Sequence, residues 1–222
     1  MDPYAWPALD YAGWKDTCRT LHLWLQVLGQ IARIGDAGFF LTPRGLGTAA
    51  IPMPTANGIY ALQLELLADR LEIVTSFGNT RTLELRACTA SVFAEEAAGA
   101  LQRVGVSPGG EALQRAWDRR YSHYDAGAVR RWWRVLVSCW QVQQAWRIEC
   151  APALVPPRLD WSSMAFELAN GVSFRPGGEQ TPEAGFVQAG QFVLAYEEVC
   201  RAPEPAVRIR ELLSRPASDI GR

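Results

Sequence analysis

Residues 59–86 read IYALQLELLADRLEIVTSFGNTRTLELR, and this stretch decides the fold. Tyr60, Leu62, Leu64 and Leu66 alternate with Ala61, Gln63 and Glu65, the period of two that sends successive side chains to opposite faces of a strand. Glu72, Glu84 and Arg86 supply polar positions in the runs Leu71 to Phe77 and Thr80 to Arg86, so all three strands are half buried. Ala68-Asp69-Arg70 and Gly78-Asn79 are short enough for hairpin turns, whereas parallel neighbours would need a long crossover. The sheet is therefore antiparallel. Upstream, Phe39 to Thr42 and Leu46 to Ile51 add two more short runs.

Helices flank these strands. Trp14, Cys18, Leu21, Leu25, Leu28 and Ile31 recur in steps of three and four, which predicts a helix from Trp14 to Ile34 with Gly35 as its stop. Arg19, His22, Gln26, Gln30 and Arg33 form a second, polar stripe along another face. Thr89 or Ser91 caps a helix through Val104. Asp125 caps a long one from Ala126 to about Cys150, whose apolar face holds Val129, Trp132, Leu136, Cys139, Val142 and Trp146, widened by Trp133, Val137 and Trp140. Strand-like runs follow at Trp161 to Leu168, Val172 to Phe174 and Phe192 to Tyr196, then a helix from about Pro205 to Ser214. The expected fold is α+β, an antiparallel sheet with two long Trp-rich helices packed on one face. Helix-then-strands occurs twice, which leaves open a duplication of half-domains, 13–104 and 125–214, within a single domain spanning 1–222.

Composition removes several classes of function. A net charge of −1, from 22 basic and 23 acidic residues, provides no global field for nucleic acid or an anionic membrane. Arg119-Arg120-Tyr121-Ser122-His123-Tyr124 mixes guanidinium and aromatic groups, but reads first as a solvated helix face. Cys18, Cys88, Cys139, Cys150 and Cys200 are scattered and odd in number, which argues against a disulfide framework or a zinc site. No dinucleotide or nucleotide-triphosphate fingerprint and no hydrolase motif is present, so neither a metal nor a cofactor is expected. Met1 to Trp6 lacks the character of a signal peptide, which predicts a cytoplasmic protein.

Several segments resemble a bacterial family. Trp14-Lys15-Asp16-Thr17 with Thr20 to Gln26, Arg44-Gly45-Leu46 with Ile51-Pro52, Tyr124-Asp125 with Trp132 to Leu136, and Phe192 to Val199 are similar in order to the domain-of-unknown-function family 5996. The resemblance supports the fold and a pocket, and supplies no reaction. This chain departs from the family where an aromatic, His-rich segment is replaced by the short Ile34 to Gly38. It departs again where Ala153, Arg158 and Ala165 stand in place of a Lys, a His and an Asp.

His22 and His123 are the chain's two histidines, which limits acid-base and metal arrangements sharply. His22 sits one turn from Gln26, a spacing that could orient a polar ligand or move a proton; the plainer expectation is a half-buried histidine bonded to a neighbouring strand. Arg44, after Pro43, could clamp an anionic group bidentately, or could only close its turn through Asp16 or a backbone carbonyl. Nine tryptophans suggest aromatic walls. The sequence thus points to a small, largely apolar organic molecule bound by Trp24, Gln26, Trp133, Trp140 and Trp161, with His22 and Arg44 as candidate catalytic groups. The corresponding activity is a cofactor-independent, cyclase- or isomerase-like step of bacterial specialised metabolism. The alternative is a non-catalytic interaction or regulatory protein, and a homodimer is left open in either case.

Overall fold

The computed structural model describes residues 6–34, 38–54, 56–109, 117, 119–150, 156–169, 172–177, 187–188 and 191–214. Helix α1 (Tyr11–Ile31) starts at Asp10, whose Oδ2 accepts the Gly13 amide at 3.2 Å. Gly35 lies outside the described residues, but the chain has already left helical geometry at Arg33, with φ of 53°. The amide of Ile34 closes the end on Gly29 O at 3.0 Å.

The first set of strands is β1 (Phe39–Thr42), β2 (Gly45–Gly47), β3 (Ile51–Pro52), β4 (Ile59–Glu65), β5 (Arg70–Thr75) and β6 (Thr80–Glu84). Leu64 pairs with Leu71 and Leu71 with Leu83, so the alternation of β4 and β5 becomes one apolar face, whereas β6, expected to be half buried, adds only Leu83 to it and is otherwise exposed at the sheet edge. Asp69 (φ 51°) and Gly78 (φ 80°) turn the two hairpins. Helix α2 (Ala90–Arg103) follows, capped by Thr89, and then α3 (Ala126–Cys150), where Asp125 Oδ1 accepts the amides of Gly127 (2.8 Å) and Ala128 (3.2 Å).

Beyond α3 come β7 (Arg158–Asp160), β8 (Ala165–Glu167), β9 (Val172–Arg175), β10 (Val187–Gln188) and β11 (Gln191–Ala195), then α4 (Tyr196–Arg201) and α5 (Pro205–Leu213). The run Trp161 to Leu168, expected as a single strand, is instead the turn and second arm of the β7–β8 hairpin. Asp160 draws the amides of Ser162 and Ser163 onto its carboxylate and folds the chain back. The sheet order is β10-β11-β9-β8-β7-β1-β2-β4-β5-β6, with β3 on β4; its pairs are antiparallel except β9 with β11. The two halves meet at the antiparallel β1–β7 pair, and a helix leads into the strands of each. One core cluster draws on both halves.

Helices α1 and α3 meet through the stacked rings of Trp14 and Trp132, 6.0 Å apart, and α2 meets α1 where Trp24 stacks on Phe93 at 4.8 Å. The Tyr60 hydroxyl of β4 donates to Ala32 O at 2.8 Å, tying the sheet to the end of α1; burial pushes its pKa up to about 12. Among the described residues no helix is long and apolar enough to cross a membrane.

Two helical glycines give opposite expectations. At Gly29 an added Cβ would lie 2.3 Å from the Trp161 ring, whereas at Gly99 it would meet nothing within 4 Å. Gly29→Ala should therefore destabilise by about 1–3 kcal/mol through overpacking. Gly99→Ala should stabilise by about 0.5–1 kcal/mol, since alanine loses less backbone freedom on entering a helix. Urea midpoints of both variants check the pair, and a harmless Gly29→Ala would refute the seating of Trp161.

Candidate functional site

Trp161 leads outward from that contact to the polar face of α1. Its half-buried ring covers Gly29, and the next residue, Ser162, presents its carbonyl to two α1 side chains. His22 Nε2 lies 2.8 Å from Ser162 O, and Gln26 Nε2 donates to the same oxygen at 3.2 Å. A carbonyl accepts and does not donate, so His22 carries its proton on Nε2 and its lone pair on Nδ1. Among the described residues Nδ1 makes no hydrogen bond. Burial holds the His22 pKa below the ordinary value of 6.5, against the opposing pull of the Ser162 carbonyl and the Asp160 charge. The imidazole is neutral at pH 7.

The other side of the turn is closed by Asp160. Its carboxylate accepts the hydroxyl of Ser162 (2.8 Å), the hydroxyl of Ser163 and both amides. Burial would raise its pKa, but these four donors together bring it below the ordinary 3.8. A serine and an aspartate of the turn thus meet a histidine of α1 without forming a nucleophilic relay. The hydroxyls bond the carboxylate directly, and the imidazole touches a backbone oxygen instead of a hydroxyl. Sequence reasoning missed Asp160, Ser162 and Ser163; the available signal was an Asp followed at the second and third positions by serines, a side-chain-closed turn.

Trp24, Trp133, Trp140 and Arg44 are not part of this turn. Trp24 is wholly buried between Phe93 and Tyr124 (4.8 and 5.4 Å), and its indole N–H has no acceptor among the described residues. Trp133 is buried as well, whereas Trp140 on the same helix is 38% exposed. Among the described residues Arg44, at the β1–β2 turn, pairs with neither Asp16 nor a carbonyl but with Glu65, at 2.8 Å; Arg70 shares that carboxylate at 3.1 Å. Arg158 and Ala165 both lie on the β7–β8 hairpin, with Arg158 bonded to Glu167 at 2.6 Å and Ala165 paired with Asp160. Ala153 lies outside the described residues.

Elsewhere, buried Glu197 accepts the Trp14 indole N–H and the Gly177 amide, each at 2.9 Å. Cys18, Cys88, Cys139 and Cys200 are free thiols, and burial raises the pKa of each, which keeps them protonated and poorly nucleophilic. No group of three or more His, Cys, Asp or Glu among the described residues is arranged to hold a metal. A cleft of about 450 Å³ opens between the end of β11, α4 and α5.

The His22 environment fixes the sign of a pH effect. Because the folded pKa lies below 6.5, the unfolded chain takes up the proton first on acidification. This contribution to stability is complete above pH 6.5 and is lost as the pH falls through the folded value. Asp160 contributes in a separate window, complete above 3.8 and lost in stronger acid. His22→Gln should flatten the dependence of the urea midpoint on pH just below 6.5 while leaving the stronger-acid limb in place. An unchanged slope would show that His22 titrates as in the unfolded chain.

Comparison with known proteins returns one family. No curated protein and no solved structure matches the chain. A family model described as a family of unknown function, DUF5996, matches residues 6–183, which include α1, the sheet through β9 and the Asp160–Met164 turn. The chain belongs to the DUF5996 family.

Proposed function

We propose that the protein binds a small, largely apolar organic molecule where α1 meets the Asp160–Met164 turn. The observation that carries this reading is the convergence of His22, Gln26 and Trp161, three residues nominated from sequence. They gather at one half-exposed place with two polar donors directed at a single carbonyl. Trp161 supplies an apolar wall, and a ligand oxygen could take over either donor from Ser162 O. Neutral His22, with its unengaged Nδ1, is the group placed to accept a proton from such a ligand. The reading therefore extends to a cofactor-independent isomerisation or cyclisation of an apolar substrate, of the kind found in bacterial specialised metabolism.

One observation favours a second reading. The aromatic interior around Trp24 is filled by stacked rings, while Trp140 and Ile148 on α3 are 38% and 81% exposed, as on a surface that meets another protein.

A panel of apolar metabolites, read by tryptophan emission and thermal shift, separates the two. A binder should change the emission of the wild type, and His22→Ala and Gln26→Ala should each abolish or weaken that response. Each variant should lose no more than about 1–2 kcal/mol of stability, the scale of a few hydrogen bonds. Trp161→Phe should remove most of the emission change. Silence of the wild type across the panel, with a molecular mass that grows with concentration, would replace the first reading by the second.

A further inference from the structure

The cleft between β11, α4 and α5 is lined by residues outside the span that the family model matches, and none of them belongs to the Asp160–Met164 turn. Its floor is apolar: Leu194 from β11, Val199 from α4, Ala202 and Pro203 from the connection, and Val207 from α5. Val207 is 48% exposed and would gain from being covered, as any sizeable aliphatic side chain on an open surface would. The cleft is open to solvent, with a volume of about 450 Å³, and Leu194 and Val199 form its base beneath the more exposed Val207.

The rim has one sign of charge in excess. Glu198, Glu204 and Glu211 surround the floor against a single guanidinium, Arg208, which leans towards Glu211 at 3.6 Å. Glu198 and Glu204 have no hydrogen-bond or ion-pair partner among the described residues, and Glu204 makes no side-chain cap although it stands at the start of α5. Two carboxylates without partners beside an apolar floor are complementary to a positive charge carried on a hydrophobic body. They are poorly matched to an anion, and a neutral apolar molecule would use the floor alone.

We propose that this cleft binds a small organic cation, an ammonium or amidinium group on an aliphatic or aromatic body, with the body on the Leu194, Val199 and Val207 floor and the charge at the Glu198 and Glu204 rim. The site is independent of the one at His22.

The full chain, with its methyl groups labelled, should be titrated with hexylammonium, with hexanol and with hexanoate, followed by methyl NMR and calorimetry. Hexylammonium should shift the methyl signals of Leu194, Val199 and Val207 and bind more tightly than hexanol, with hexanoate weakest. Glu198→Gln and Glu204→Gln should each weaken the ammonium about two- to fivefold, the scale of one exposed ion pair, and leave hexanol unchanged. Raising the salt concentration should narrow the gap between ammonium and alcohol. Equal binding of ammonium and alcohol, shifts at other methyl groups, or no binding at millimolar concentration would each overturn the proposal. Because Glu198 and Glu204 are exposed, their glutamine variants should fold normally, and unchanged ammonium affinity in both would also overturn it.

Discussion

Burial of α1 is the constraint on which the rest of the molecule depends. Trp14, Leu21, Trp24, Leu25 and Leu28 are each at most 2% exposed, so the helix lies inside the protein for most of its circumference. Polar groups on such a helix need partners, because an unpaired donor or acceptor away from water is costly. The partners come from far along the chain. Trp14 finds Glu197 at the start of α4, Thr17 receives the Asp125 amide that opens α3, Cys18 lies against Met164, and His22 and Gln26 reach Ser162. Each contact fixes where a different element lands, so satisfying α1 also arranges the second half of the fold around it.

Periodicity made the skeleton legible. The alternation from Ile59 to Glu84 and the stripe from Trp14 to Ile31 are local patterns repeated over several turns, and both survive in the folded chain. Thr89 and Asp125 were legible for a related reason, since a capping side chain acts within three residues of itself. Where partners are distant the sequence is silent. Arg44 had Asp16, a carbonyl or an anion as plausible partners, and Glu65 was selected by strand register. The parallel direction of the β9–β11 pair is another long-range outcome that no local pattern announces.

The candidate site shows the same division. His22 and Gln26 were visible as a polar stripe with helical spacing, but the surface that meets them is a turn without Gly or Pro, inside a segment whose apolar content resembles a strand. Side-chain oxygens, not backbone freedom, make that turn, and Met164 still takes a left-handed conformation (φ 56°) at its end. Trp24 illustrates the opposite outcome. A tryptophan can wall a pocket or fill a core with equal ease, and its stacking between Phe93 and Tyr124 assigns it to the core. Its neighbour in space, Tyr124, extends outward to Asp69, which also takes Arg130. The aromatic interior is thereby linked to a surface ion pair at the β4–β5 hairpin.

The hydrogen bond from Trp14 to Glu197 joins residues 183 positions apart. A ribosome releases the N-terminal helix long before it makes the acceptor that this indole uses, and the Ser162 carbonyl that receives His22 also emerges late. Local strands such as β4, β5 and β6 can pair as they appear, whereas α1 must wait for Ser162 and Glu197. High contact order of this kind slows folding and leaves apolar surface uncovered during synthesis. The apolar stripe of α1 is therefore synthesised well before the elements that shelter it, and its cover is assembled from both halves of the sheet's flanking helices and turns.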